Sequence, residues 1–349
     1  MRAMQIVDFG KPLKLNSYDT PKPQGAEVLV RIGSSGVCHS DLHIWEGFFD
    51  LGMGKRLDVS TRGMKLPHTL GHEIAGEVVA IGPDVKSVRV GHRAVVYPWI
   101  GCGQCAICQS GDEVLCATPR QLGTRKDGGY ADYVMVPDAK YLVDYGNVPE
   151  ELACTYACSG ITAYAAIKKT MAVRGGLKKL LLIGAGGVGL AGVAIAKAVS
   201  NAEIIVADID DAKLKAAKET GADRVINSKA PESVKQLVDA GGVDAAIDFV
   251  GAPTSVQFAL DALRRGGSLI VVGLFGGDTP LSIAGMPLRA LTIQGSYVGS
   301  LEDLRELMAL VREGKVPPLP FSTRPLEGAY DALEELKAGK VVGRVILKP

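Results

Sequence analysis

The sequence contains no block of charge of one sign. Its 39 Lys and Arg nearly cancel 38 Asp and Glu, leaving a net charge of +1. Without a broad positive field, neither nucleic acid nor an anionic membrane surface is an expected partner. A small molecule takes that place. Nor is there an unbroken apolar run of membrane-spanning length. The nearest approach, "LLLIGAGGVGLAGVAIAKAV" at 180–199, is interrupted by glycines and divides into a strand, a tight turn and a helix. The opening "MRAMQIVDFGKPLKL" places charged and turn residues where a signal peptide needs an apolar core, so a cytoplasmic location is expected. Internal repeats and low-complexity linkers are missing too.

A chain of 349 residues with 47% hydrophobic content has material for a large core, and its length suits two domains. Cysteine is sparse, seven in all, yet four fall in "GCGQCAICQSGDEVLC" as Cys102, Cys105, Cys108 and Cys116. Disulfides are disfavoured in a reducing compartment. The C-x2-C-x2-C-x7-C spacing wraps four thiolates around one tight loop, the soft tetrahedral set that zinc accepts. With all four positions filled by protein there is no room for substrate, so this zinc is expected to be structural. An iron-sulfur run usually spaces its last ligand more closely and follows it with Pro. A nucleic-acid knuckle would interleave basic and aromatic residues, whereas the loop's own charges, Asp112 and Glu113, are acidic.

A second constellation comes from separate segments. "GVCHSDLHIW" and "LPHTLGHEIAGEVVAIG" supply Cys38, His43, His72 and Glu73. A thiolate and an imidazole fill only half a tetrahedron, and a catalytic zinc needs at least one further protein ligand. Cys158 or its neighbour Cys154, both in "ELACTYACSGITAY", can supply it.

The third signal is "KKLLLIGAGGVGLAGVAIAKAVSNAEIIVADIDDAK". An apolar run ends at Gly184, glycines follow at Gly186 and Gly189, a small-residue helix comes next, and a second apolar run ends at Asp208. The first glycine permits the turn, the second lets pyrophosphate approach the backbone, and the third lets helix pack on strand. The helix N-terminus then offers free N–H groups to phosphate. Asp208 is placed to accept from the ribose hydroxyls and to repel a 2′-phosphate, which favours NAD over NADP.

Apolar runs alternating with helices continue through "VDAAIDFVG", "TSVQFALDALRRGG", "SLIVVGLFG" and "LTIQGSYVG". They predict a doubly wound parallel sheet, a Rossmann domain over 159–296. Upstream, the short strands of "AEVLVRIGSSG", "AGEVVAIGPDV" and "GHRAVVYPWI" predict a β-rich domain over 1–158, with a zinc lobe at about 97–120, to which 297–349 is expected to return.

Together these motifs span nearly the whole chain. With "CSGITAY" and the terminal "VGRVIL" they make it resemble the zinc-dependent medium-chain dehydrogenases, in the alcohol dehydrogenase branch that carries both a catalytic and a structural zinc. The resemblance implies an α/β fold, a GroES-like catalytic domain plus the Rossmann domain, two zinc ions per chain, NAD, and a homodimer or homotetramer. It makes Cys38, His72 and Cys158 the catalytic zinc ligands, with Glu73 behind them and Asp41 orienting His72. It makes Ser40 and His43 the proton relay. His39 and Arg344 fall at pyrophosphate positions, Lys213 at the adenosine ribose, Thr162 near the nicotinamide and Trp99 in the substrate pocket.

The chemistry suits the residues. Two thiolates neutralise Zn²⁺, leaving a site of zero formal charge that can polarise an alcohol. Ser40 can take the hydroxyl proton and pass it through a ribose hydroxyl to His43, whose ordinary pKa of about 6.5 suits a shuttle. The expected activity is reversible oxidation of an alcohol to an aldehyde or ketone. The alternatives are a zinc-dependent polyol or hydroxy-acid dehydrogenase, a zinc-free quinone reductase and, in another class, a non-enzymatic zinc and Rossmann scaffold. "EGFFDLGMGKRLDVSTRGMKLPH", between Trp45 and His72, is longer than two strands require and is expected to shape substrate choice. "LTIQGSYVG" is a candidate edge strand for pairing between subunits.

Overall fold

Strand Val28–Gly36 is buried along almost its whole length, as a strand covered on both faces must be, and it organises the first half of the chain. In the computed structural model, which describes residues 1–61 and 63–349, it pairs antiparallel with Glu73–Ile81, Tyr133–Val136 and the C-terminal strand Arg344–Lys348. Arg93–Val96 and Leu142–Asp144 extend this sheet on one side, and Phe321–Pro325 lies beyond Arg344–Lys348. A smaller sheet joins Lys14–Ser17, Arg2–Ile6 and His68–Thr69.

The second half builds a six-stranded parallel sheet. Its order is Arg224–Asn227, Glu203–Asp208, Lys179–Ile183, Val243–Asp248, Leu263–Val271 and Thr292–Gly295. Strand order reverses between Lys179–Ile183 and Val243–Asp248, and in open α/β sheets ligands bind at that switch point, beyond the carboxyl ends of the strands. The turn after Lys179–Ile183 needs its glycines. Gly184 has φ +91°, and a Cβ on Gly189 would lie 1.7 Å from the Gly184 carbonyl oxygen. Any larger residue would push helix Gly187–Val199 off the strand.

A helical run from Glu150 to Thr170 crosses the 158/159 boundary without a break, through one π turn at Tyr156–Gly160. π turns insert an extra residue and often mark functional positions; this one holds Cys158. The long segment before His72 forms a hairpin, Phe48–Asp50 with Arg56–Asp58. The hairpin reaches the other sheet's loops, where the Met53 N–H donates to Asp278 Oδ2 at 2.7 Å. None of the described helices is long and apolar enough to cross a membrane.

Candidate active site and metal centres

Cys38 lies at the start of helix His39–Glu46, His72 just before strand Glu73–Ile81 and Cys158 in the π turn. The fold brings these distant positions to one buried point. Their ligand atoms all lie within 4.8 Å of one another, and the two sulfurs are 3.9 Å apart. Burial would ordinarily keep thiols neutral. Here the hydrogen bond from Cys158 and the neighbouring His72 hold the Cys38 thiol well below its usual pKa.

Asp41 ties the cluster together. Its Oδ2 accepts from the Cys38 N–H at 2.9 Å and the Tyr130 hydroxyl at 3.1 Å, and its Oδ1 accepts from the Gly71 N–H at 3.1 Å. His72 Nδ1 is also 3.1 Å from Asp41 Oδ1, but out of line for a hydrogen bond, and His72 Nε2 has no partner either among the described residues. A buried ring with unmatched nitrogens costs about 1–3 kcal/mol for each orphaned group. Two sulfurs and this imidazole fit zinc as a donor set and leave one position open.

Behind them, Glu73 is fully buried. Its Oε1 accepts from the Ser159 N–H at 3.0 Å, and its Oε2 pairs with Arg344 Nη2. Burial raises the Glu73 carboxyl to about 7 against the pull of Arg344. The same Arg344 reaches the glycine turn, because a Cβ on Gly187 would fall 2.6 Å from its Nη1.

Cys102, Cys105, Cys108 and Cys116 form a second group with sulfurs equally close. The Cys105 and Cys108 sulfurs are 3.5 Å apart. Backbone N–H groups of Gln104 and Cys105 point at Cys102 Sγ from 3.5 and 3.4 Å. Led by the Gln104 amide, they push the Cys102 thiol down to about 6. Thiolates held by N–H donors on all-protein corners fit a structural zinc. Glu113 fastens the lobe to the body, accepting from Gly101 N–H, Lys140 Nζ and Tyr141 hydroxyl.

A cleft of about 620 Å³ runs from the Cys38 cluster to the glycine turn. Its walls include Cys38, His39, Ser40, His43, Trp99, Cys158, Thr162, Gly184, Gly186, Gly189, Asp208, Lys213 and Arg344. His72, Asp41 and Glu73 sit behind that wall. Cys154 does not join the ligand group; its sulfur donates to the Glu151 carbonyl at 3.3 Å. His43 also stays out of it and packs against Phe49, ring centroids 5.1 Å apart and planes tilted by 41°. Trp99 lies edge-on to His72 at 5.2 Å and to Tyr297 at 6.0 Å.

The dinucleotide cradle is open where it must be. A Cβ on Gly186 would meet nothing within 4 Å, so backbone faces the space a phosphate would take. Asp208 Oδ2 accepts from the Ala185 N–H at 2.6 Å, which pins the glycine turn to the neighbouring strand end.

Models of the alcohol dehydrogenase GroES-like domain and of the zinc-binding dehydrogenase domain match residues 24–147 and 187–313. The chain is 41% identical to the NAD-dependent alcohol dehydrogenase of Sulfurisphaera tokodaii and 40% identical to that of Saccharolobus solfataricus, over 100% of both chains each time. It also resembles the alcohol dehydrogenase structure of the hyperthermophilic archaeon Aeropyrum pernix, with TM-score 0.89 and 31% identity over 100% of both chains.

The chain belongs to the zinc-dependent medium-chain alcohol dehydrogenases. It is an NAD-dependent oxidoreductase of mixed α/β fold whose cofactors are NAD and zinc. A cobalt- and zinc-bound alcohol dehydrogenase from Pyrobaculum aerophilum matches at TM-score 0.86 and 28% identity, over 100% of this chain and 99% of that one.

Sequence reasoning missed Tyr130, which braces Asp41, and Gln121, Thr124, Phe49 and Tyr297, which line the cleft. One signal was available for the first three. "ATPRQLGTRKDGGY" follows Cys116 directly, and a four-cysteine loop returns the chain beside its own start, next to Trp99.

Proposed function

We infer that the chain oxidises alcohols reversibly to aldehydes or ketones, with Cys38, His72 and Cys158 holding the catalytic zinc and Cys102, Cys105, Cys108 and Cys116 the structural one. The observation that carries this reading is the convergence of the first set, one coordination position short of complete, on a cleft that continues to the glycine turn. When bound, zinc would supply Lewis acidity to the alcohol hydroxyl and NAD the acceptor for hydride.

The side chains do the rest. Ser40, on the first turn of helix His39–Glu46, accepts the hydroxyl proton, and His43, one turn on, carries it toward solvent. Burial lowers the pKa of His43, with the nearby His39 adding repulsion, so the imidazole stays neutral and able to accept near neutrality. Asp41, 3.1 Å from His72 Nδ1, orients the ring by its charge, and Glu73 supports Arg344 behind the ligands. Gly184, Gly186 and Gly189 admit pyrophosphate, with His39 and Arg344 as its cations. Asp208 and Lys213 hold the adenosine ribose, Thr162 borders the nicotinamide, and Trp99 forms the substrate wall.

The reading divides the chain into a catalytic domain of 1–158 and 297–349, with the lobe at about 97–120, and an NAD-binding domain of 159–296. Strand membership in the two main sheets supports that division. We also place the subunit contact at edge strand Thr292–Gly295, near which Ile283 and Leu288 are exposed, and expect a homodimer or homotetramer. A cytoplasmic location fits seven free cysteines, because the six in the two ligand clusters need reduced thiols to hold metal. Titrating the zinc-loaded protein with simple alcohols while following NADH absorbance tests the activity, and Cys158→Ser should abolish it.

A further inference from the structure

The turn Gln121–Lys126 lies against both Trp99 and His72. The Arg120 N–H donates to the Ile100 carbonyl at 2.8 Å and the Leu122 N–H to the Pro98 carbonyl at 3.0 Å, so the chain here runs alongside Trp99. A Cβ on Gly123 would lie 2.3 Å from the Gly71 carbonyl oxygen and 3.0 Å from His72 N. The turn is thus built onto the backbone that carries a zinc ligand, and its side chains Gln121, Thr124 and Arg125 line the cleft.

Gln121 is only 5% exposed. Among the described residues its carboxamide makes one hydrogen bond, with the Thr124 hydroxyl at 3.2 Å. Whichever way the amide is turned, that bond satisfies one end and leaves the other without a partner among the described residues, on a side chain that lines the cleft. The cleft that it lines also carries the apolar side chains of Trp99, Phe49, Leu57 and Val59. A plain alkyl chain would strip water from the free amide end and give nothing back.

We propose that the cleft selects alcohols bearing a second, uncharged oxygen function, a hydroxyl or carbonyl, which Gln121 and Thr124 bind while the reacting carbinol sits by Cys38, His72 and Cys158. The proposal rests on the alcohol dehydrogenase reading. Sites that hydrogen-bond a substrate group discriminate against analogues lacking it far more sharply than apolar pockets discriminate by size.

Initial rates of the zinc-loaded enzyme with NAD, on propanol through hexanol and on the matching α,ω-diols, test it. For at least one chain length the diol should show about tenfold higher kcat/KM than the alkanol. Gln121→Leu and Thr124→Val should each collapse that ratio, lowering kcat/KM for the diol and raising it for the alkanol. Alkanols equal to or better than diols at every length, or a ratio that Gln121→Leu leaves intact, would overturn the proposal. So would a preference for ω-hydroxycarboxylates over diols, because recognition would then rest on a positive charge such as Arg125. An enzyme silent with alkanols, diols and the matching aldehydes alike would remove the alcohol dehydrogenase reading itself.

Discussion

Glu73 and Arg344 form a buried ion pair that links the catalytic ligand cluster to the glycine turn. They come from adjacent regions of one sheet but are 271 positions apart in sequence, and both are almost wholly excluded from solvent. Removing one member of such a pair usually costs about 3–5 kcal/mol, because the other is left charged and unpaired. The two losses should differ. Burial already holds Glu73 near 7, so after Arg344→Met it can take up a proton and limit the damage. After Glu73→Leu, Arg344 stays charged. Denaturant unfolding should therefore find Glu73→Leu the less stable variant, and the reverse order would contradict this account. Arg344→Met should in addition weaken NADH binding.

Asp208 has two tasks, and substitution can separate them. Asp208→Gly removes both the carboxylate aimed at the ribose and the bond to the Ala185 N–H. It should weaken NAD binding and raise relative use of NADP. Asp208→Asn keeps an acceptor for Ala185 and removes only the charge, so it should retain more NAD affinity while still relaxing the discrimination. Paired kinetics with both coenzymes check this, and a wild type that prefers NADP would refute it.

The relay predicts a pH signature. Burial lowers the pKa of His43, so its neutral, proton-accepting form persists below the usual value of about 6.5. His43→Gln should turn over more slowly than wild type below about pH 8 and approach it at higher pH, where hydroxide can take the proton directly. Zinc content and coenzyme affinity should hold. Superimposable pH-rate profiles would make His43 a packing residue against Phe49.

Tyr156 opens the π turn, and its hydroxyl is buried without a hydrogen-bond partner among the described residues. An unmet buried hydroxyl costs about 1–3 kcal/mol. Tyr156→Phe should raise the unfolding free energy by about 1 kcal/mol without loss of zinc. A clear drop in stability would mean that the hydroxyl has a partner, such as an ordered water.

The parts legible in the sequence were those whose chemistry is local. Cys102 to Cys116 and Gly184 to Gly189 each complete a function within one turn or loop, so spacing alone carries the meaning. The third member of the Cys38 and His72 cluster was harder, since residue types leave Cys154 and Cys158, four apart on one helical run, as equals; only the resemblance pointed to Cys158, whose sulfur lies 3.9 Å from that of Cys38. The substrate wall was hidden for a different reason. Phe49 lies in the segment between Trp45 and His72 that was expected to shape substrate choice, but Gln121 and Tyr297 carry no such signal, and they join it only because the turn after Cys116, the hairpin before His72 and the end of the parallel sheet line one cleft. The hairpin's contact with Asp278 likewise depends on how two sheets are set against each other, which no period or motif encodes.

Two zinc sites per chain, one closed by Cys102, Cys105, Cys108 and Cys116 and one formed by Cys38, His72 and Cys158 with a position left open, are tested most directly by elemental analysis of purified protein. Wild type should hold two zinc ions per chain, and Cys154→Ser should keep both. Cys158→Ser should hold one and lose alcohol oxidation. Cys116→Ser should also hold one, but with lowered thermal stability, because the lobe loses the ion that orders it. About one zinc in the wild type, iron in its place, or loss of the catalytic ion from Cys154→Ser beside an active Cys158→Ser would contradict the account.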